Sequence, residues 1–295
     1  MHIPVLAKEV IEYLDPKPNE NFIDCTIGNG GHASAIIEVI QPKGRMLGID
    51  WDEENIRSLK FKIQKSKFKN NLILANDNYA NLKDIAEINK FKNISGILLD
   101  LGFSSWHVEK SGRGFSFQKS EPLDMRYDIQ NQVTAEKIVN YRSFQEIEKI
   151  LREYGEERFS SQIAQSILRE RKERAIKTTR QLAEVIQKAI PYKYQKNKIN
   201  PATKTFQALR IAVNDELNNL TKVLPQALEI LKNGGRLAVI SFHSLEDRIV
   251  KNFFRDRSRE NLIKILTKKP ITPTFEEIRN NPRSRSAKLR AAIKV

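Results

Sequence analysis

The stretch FIDCTIGNGGH, residues 22–32, constrains the fold more than any other. An apolar, strand-like tripeptide runs into a glycine cluster, and the helical pattern ASAIIEVI follows at 33–40. Pro42 and Gly44 end that helix and the apolar RMLGID begins at once, which makes one compact βαβ unit. A strand that ends in Gly-x-Gly and feeds a helix offers backbone N–H groups on a surface that Cβ atoms would otherwise block. Gly28, Gly30 and Ala33 match the loose G-x-G-x-x-G/A pattern, and Asp50 follows at the distance where a ribose hydroxyl is read, so a dinucleotide site is one reading. Asp24, just before the loop, favours another, because a carboxylate repels a pyrophosphate and attracts an ammonium group. That combination suits S-adenosylmethionine, a nucleoside carrying an amino acid. No Gly-Lys-Ser/Thr closes the loop, which excludes a Walker A site.

The alternation of strands and helices continues. LAKEVIEYLD, 6–15, sets Leu6, Val10, Ile11 and Leu14 at helical spacing before Pro16. Helix patterns fill 52–64 and 79–89, and strands are expected in NLILAN, 71–76, and ISGILLDLG, 94–102. Their continuous apolar runs fit a parallel sheet buried on both faces. Residues 102–132 lose all period yet keep Trp106, Phe115, Phe117, Met125 and Tyr127, which predicts an ordered active-site loop. From 134 to 194 the pattern is helical, with Thr134, Ser143-x-x-Glu146 and Thr178-x-x-Gln181 as N-caps. Phe159, Ile163 and Ile167 make one apolar stripe there, and Leu182, Val185, Ile186 and Ala189 another.

Further on, helices are expected over 203–219 and up to 232, then a strand at 236–242 and a helix capped by Ser244, with Asp247 in the box position. Strand-like 262–270 and 288–295 flank a helix start at Thr274-x-x-Glu277, and this closing pair would supply the antiparallel hairpin of a methyltransferase sheet. The division expected is a first part of an α/β domain at 1–132, an inserted helical subdomain at 133–200, and a second part at 201–295 with a basic tail.

Lys and Arg number 51 against 36 acids, a formal net charge of +15 that would concentrate a polyanion near the surface. Lysine-rich compositional bias is the bland explanation, but the cations cluster in RERKERAIKTTR, 169–180, and RNNPRSRSAKLR, 279–290, which favours nucleic acid. Neither stretch reads as a membrane anchor, no apolar run reaches spanning length, and the charged N-terminus is unlike a signal peptide, so a cytoplasmic protein without a membrane partner is expected. The single cysteine, Cys25, excludes an intramolecular disulfide and a cysteine-pair zinc site.

Open α/β sheets bind ligands beyond the carboxyl ends of their strands. There the sequence gathers Asp24 with Gly28, Gly30, Gly31 and His32, then Asp50, Asp77 with Tyr79, and Asp100. Asp50 is expected to accept ribose hydroxyls, Tyr79 to stack on adenine and Asp77 to receive its amino group. The alternative for each aspartate is a helix cap, and for Tyr79 a place in the core. His32, His107 and His243 also follow strands, but without a close H-x-x-x-H pair no catalytic metal is expected.

HIPVLAKEV at 2–10, DCTIGNGGH at 24–32, GILLDLGFSS at 96–105, PLDMR at 122–126, EYGEERF at 153–159, PATKTFQALRIAVNDEL at 201–217, GGRLAVISFHSLEDRIVKNFF at 234–254 and NPRSRSAKLR at 281–290 together resemble the bacterial RsmH (MraW) methyltransferases over essentially the entire chain. The resemblance implies a Rossmann-like class I S-adenosylmethionine-dependent methyltransferase sheet with an inserted all-helical subdomain proposed to hold RNA. It implies methylation of N4 of a P-site cytosine in 16S rRNA, with the 30S subunit as partner, and leaves a homodimer open. Donor contacts are implied at Gly30, Gly31, His32, Asp50, Tyr79, Asp100 and His107, beside Asp24, Gly28 and Asp77. Departures are Asn200 and Lys204 where the family usually has His and Arg, and Trp106 where Pro is frequent; Lys204 keeps the charge but loses the guanidinium fork. Asp100 is the expected catalytic group and Phe103 the aromatic that stacks on cytosine, with Phe115 and Phe117 competing. Asp124 and Arg126 either shape the lid or grip RNA, and Asn214 and Asp215 either face the pocket or serve structure. Arg113, Arg126, Arg169, Arg171, Lys172, Arg174, Lys204, Arg283 and Arg285 are the expected RNA contacts.

Overall fold

Seven strands form one sheet in the computed structural model, which describes residues 4–64, 66, 68–102, 111–195 and 200–295. The elements in chain order begin with α1 (Ala7–Leu14), β1 (Asn21–Asp24), α2 (Gly31–Ile40), β2 (Met46–Asp50), α3 (Glu53–Gln64), β3 (Leu72–Asn76), α4 (Leu82–Ile88) and β4 (Ile94–Asp100). Helices α5 (Ala135–Tyr141), α6 (Phe144–Gly155), α7 (Ser160–Glu173), α8 (Thr179–Ala189), α9 (Tyr192–Gln195) and α10 (Ala202–Asn214) follow. The chain ends with α11 (Glu216–Ile230), β5 (Leu231–Ser241), α12 (Ser244–Arg259), β6 (Ile263–Ile265), α13 (Phe275–Asn280) and β7 (Lys288–Lys294). Residues 1–102 together with 217–295 make up one structural unit, and 103–216 make up a second.

In the first unit the strand order is β3-β2-β1-β4-β5-β7-β6, parallel from β3 to β5, with β7 antiparallel to both its neighbours. Successive strand residues leave the sheet on opposite faces. Ile23, Leu47, Ile97 and Leu237 therefore join one core, closed by α4, α11 and α12, while Phe22, Met46, Leu98 and Ala238 join the other, closed by α1, α2 and α3. Burial on both sides explains why these strands read as unbroken apolar runs. This is the expected class I methyltransferase sheet, and β6 with β7 makes its antiparallel edge. The chain winds outward from β1 to β3 and then returns to β1's other side with β4, so the carboxyl ends of β1 and β4 flank the switch point at which such sheets take ligands.

Several local expectations are corrected. α2 starts at Gly31, earlier than ASAIIEVI, because Gly30 makes the turn with φ 78°. The strand expected at 236–242 begins at Leu231, and the one expected at 262–270 contracts to Ile263–Ile265. The helix expected over 203–219 is broken by Asp215, left-handed at φ 51°. His243, not Ser244, caps α12, in a box with Glu246. The longer Glu246 side chain reaches back to the Phe242 N–H at 2.8 Å, whereas Asp247 turns to Arg290 of β7 at 2.6 Å, in a pair almost closed to solvent.

The second unit is all-helical around its own core, with Leu123, Met125, Ile147, Leu151, Ile163, Ile167, Leu182 and Leu209 buried in it. The capping boxes at Ser143 with Glu146 and Thr178 with Gln181 form as the spacing predicts. Gly155 lets α6 approach α10 closely, since a Cβ there would lie 2.8 Å from the Lys204 carbonyl oxygen. This unit is wider than the expected 133–200, and the reason lies in 111–134. Leu123 N–H donates to Lys177 O at 3.0 Å, Met125 N–H to Arg113 O at 2.8 Å, and Asn214 ties the same loop to α10. The described part of the expected active-site loop is thus built into the helical unit.

Candidate active site

β1, β2 and β4 each end in an aspartate, Asp24, Asp50 and Asp100. Asp24 pairs in register with Gly48 and Leu98, so the parallel alignment brings all three to the same edge of the sheet. Asp50 Oδ2 accepts the Gly28 N–H at 2.9 Å and Asn55 Nδ2 at 3.2 Å, while Oδ1 accepts the Asp52 N–H at 2.9 Å. The Gly30 N–H goes to Ile27 O at 2.7 Å. Two loop N–H groups are thereby spent inside the protein, and a diphosphate here would face three carboxylates. The dinucleotide reading loses its anion cradle, and the donor set fits a nucleoside ligand with a cationic amino group instead.

The ends of β1 and β4 are tied through Thr26, whose hydroxyl accepts the Asp100 N–H at 2.7 Å and whose N–H donates to Asp24 Oδ1 at 3.1 Å. His32, in the first turn of α2 and 7% exposed, holds Nε2 at 3.5 Å from Asp100 Oδ2, the outer limit of a hydrogen bond. Asp100 Oδ1 accepts the Gly102 N–H at 3.3 Å. Asp77 Oδ1 accepts the Asn78 N–H at 2.6 Å and Asn81 Nδ2 at 3.0 Å, while Asn78 caps the short 3-10 turn Tyr79–Asn81. Tyr79 is half-buried against the sheet core.

Burial dominates the electrostatics. It pushes Asp24, which is 1% exposed, up to about 6, opposed by the nearby His32 charge and the Thr26 N–H and reinforced by Asp100 and Asp50. Burial also works against a charge on His32, yet the carboxylates of Asp100, Asp24 and Glu277 outweigh it and raise the imidazole above its ordinary value. Cys25, between Asp24 and Thr26, has its thiol pushed well up by burial and then by the Asp24 charge, which makes it unreactive.

Other expected residues find varied places. Phe103, His107 and Trp106 lie outside the described residues. Phe115 stacks on Tyr127 with centroids 5.3 Å apart, and Phe117 meets Phe206 edge-on at 5.3 Å. Arg126 clamps Asp124 through Nε at 2.8 Å and Nη2 at 2.7 Å and gives Nη1 to Ile129 O and Asn131 O, both at 2.7 Å. Arg113 gives Nη1 to Tyr127 O at 3.0 Å, Arg171 reaches Arg142 O at 2.7 Å, and Lys204 caps α6 at Glu156 O, 2.8 Å away. These four act as backbone staples. Arg174 pairs with Glu170 on the surface at 2.7 Å, while Arg169, Lys172, Arg283 and Arg285 are exposed. Asn214 is buried and structural, and Asp215 ends α10.

Sequence reasoning passed over Thr26, Asn55 and the reach of Glu277 to Leu6, and also a surface cluster in the helical unit. There Arg158 lies 5.3 Å over the Tyr194 ring and Lys193 Nζ 5.1 Å from it. Asn55 could be found as the polar residue facing back from the helix after Asp50, and Arg158 as the arginine of EYGEERF; for the contact of Glu277 with Leu6 no local signal exists.

The chain matches the MraW methylase family over residues 1–295. A relative from Halothermothrix orenii named "Ribosomal RNA small subunit methyltransferase H" is 46% identical, covering 100% of this chain and 98% of its own. Relatives of the same name from Thermosipho melanesiensis and Heliobacterium mobile are 48% and 45% identical, again over 100% of this chain and 98% and 99% of theirs. A carboxylate-lined glycine loop on this sheet and kinship along every part of the sequence lead to one conclusion: the chain belongs to the MraW methylase family.

Proposed function

We propose that the protein transfers a methyl group from S-adenosylmethionine to the exocyclic N4 of a decoding-site cytosine in the small-subunit ribosomal RNA, cytosine 1402 of 16S rRNA. The observation that carries this reading is full-length similarity to proteins named small-subunit rRNA methyltransferases. The site supports it, because the three strand-end carboxylates and the closed glycine loop fit a cationic nucleoside ligand. S-adenosylmethionine, when bound, supplies a methyl group already activated by the sulfonium charge.

In this reading Asp50 accepts the ribose hydroxyls, Asp24 answers the ammonium group, Gly28, Gly30 and Gly31 give close backbone approach, and Tyr79 and Asp77 border the adenine. Asp100 does the work on the acceptor. The N4 lone pair of cytosine is conjugated with the ring and is a poor nucleophile. A carboxylate that accepts an N4–H hydrogen bond aims that lone pair and stabilises the positive charge developing on nitrogen. His32, within reach of Asp100 Oδ2, steadies the carboxylate's orientation. Phe103, outside the described residues, is the aromatic assigned to the displaced base. On the RNA side, phosphates meet Arg169, Lys172, Arg283 and Arg285, and the Arg158, Lys193 and Tyr194 cluster adds cations and an aromatic face.

The test is transfer of labelled methyl to small-subunit rRNA, free and in assembled 30S particles, with the product nucleoside identified by mass spectrometry. N4-methylcytidine at the decoding site is the expected product; a different nucleoside or position overturns the reading. Asp100→Asn should lower turnover at saturating donor and RNA by about 100-fold, the scale of a lost positioned acceptor. Near-normal turnover would remove Asp100 from the chemistry.

A further inference from the structure

The backbone ahead of α1 lies directly on the glycine loop. An ideal Cβ on Gly31 would sit 2.7 Å from Pro4 Cγ, so the proline ring already occupies the space a side chain would need. Val5 and Leu6 continue into the same core as Ile27 and Ala33, with Leu6 0% exposed. Leu6 is held in the left-handed region at φ 53°, which an L side chain adopts only under constraint. Its buried N–H has a partner from the far end of the chain: Glu277 Oε1 of α13 accepts it at 2.7 Å. Glu277 is itself fixed by Thr274, whose hydroxyl accepts the Glu277 N–H at 3.2 Å.

We propose that Pro4, Val5 and Leu6 form a latch over the glycine loop and that Glu277 is a positioning residue, holding the latch shut through the Leu6 N–H so that Gly31 and His32 keep the shape that receives the methyl donor. Glu277 touches neither donor nor acceptor; it acts through Leu6 and the proline ring against Gly31, with a smaller contribution of its charge to His32. The role assigned to the loop rests on the methyl-donor reading above. An unheld latch exposes a buried N–H and frees the left-handed Leu6 to relax, and the loop beneath then samples other shapes. Binding energy for the donor is lost, while the reacting groups, once the donor is seated, are unchanged.

The test compares wild type, Glu277→Gln and Glu277→Ala as full-length proteins. Glutamine keeps an acceptor oxygen for Leu6 but removes the charge; alanine removes both. Calorimetry with S-adenosylmethionine should show Kd raised about tenfold in Glu277→Ala and within about twofold of wild type in Glu277→Gln, with kcat at saturating donor equal in all three. Amide hydrogen exchange at Leu6, read without donor, should accelerate in the alanine protein alone. Wild-type affinity or unchanged Leu6 exchange in Glu277→Ala overturns the latch, as does a glutamine protein as weak as the alanine one. A wild-type protein that binds no S-adenosylmethionine counts instead against the donor reading, and Leu6 exchange still decides whether Glu277 holds the latch.

Discussion

Asp24 is a carboxylate with almost no access to water, at the end of a strand, in a fold that would be more stable without its charge. Its folded pKa, about 6, lies above the ordinary value of 3.8, so the protonated form is the one the fold favours. The stabilisation is complete below the ordinary value and is lost as pH rises through about 6. At roughly 1.4 kcal/mol per pKa unit the shift corresponds to about 3 kcal/mol at neutral pH. Asp24→Asn keeps an oxygen for the Thr26 N–H and removes the buried charge. Urea unfolding should find it more stable than wild type by about 1–3 kcal/mol at pH 7, reduced by lost support for the His32 charge, and nearly equal at pH 4. The same variant should bind S-adenosylmethionine more weakly. A stability gain that is the same at both pH values would show that Asp24 is not the titrating group, and undiminished affinity would remove it from the ammonium site. A destabilising residue retained at a strand end makes sense if a cationic ligand is what compensates it.

The loop at 111–134 is held by the end of α10 as well as by its own Arg113 and Arg126. Asn214 accepts the Tyr127 N–H at 2.9 Å and donates to Met125 O at 2.8 Å and Arg210 O at 2.9 Å, all through one buried amide. Asn214→Ala takes that partner from the Tyr127 N–H and the Met125 carbonyl and should destabilise the protein by about 2–4 kcal/mol in urea unfolding. A loss under about 1 kcal/mol would mean that the loop is held elsewhere. The same contrast separates what could be read in advance from what could not. The boxes at Ser143 and Thr178 were legible because both partners lie within one turn, and β1 to β4 because double-sided burial demands apolar runs. Asp24, Asp50 and Asp100 were legible as strand ends on one edge of the sheet, because each closes an apolar run of a parallel strand. His243 was missed as a cap because Ser244 beside it has the stronger propensity, and only the reach of Glu246 decides between them. Arg126 read as an RNA contact because nothing nearby in sequence reveals that Ile129 O and Asn131 O take its donors once the loop is folded. Glu277 was legible at its helix start, but its bond to Leu6 was not, since that partner is 271 residues away.

A net charge of +15 gives the molecule a long-range attraction for RNA, but not every cation contributes a contact. Arg113, Arg126, Arg171 and Lys204 are committed to backbone carbonyls, and moving them to a phosphate would cost the structure those bonds. The exposed Arg174 pair with Glu170 is weak enough to exchange for a phosphate. Arg169 and Lys172, one turn apart on α7 and exposed, are cations of that cluster placed to bind RNA without dismantling the fold. Binding of the rRNA decoding region should therefore depend on salt, and the Arg169→Ala, Lys172→Ala double variant should flatten the slope of log K against log salt by about 1.4, at roughly 0.7 per released single-strand counterion. Its thermal stability should match that of the wild type. Arg126→Ala should do the reverse, lowering stability with little change in slope among molecules that remain folded. If the double variant keeps the full slope, the cluster on α7 is only a solvated face, and the RNA must be held by Arg283, Arg285 and the Arg158 cluster instead.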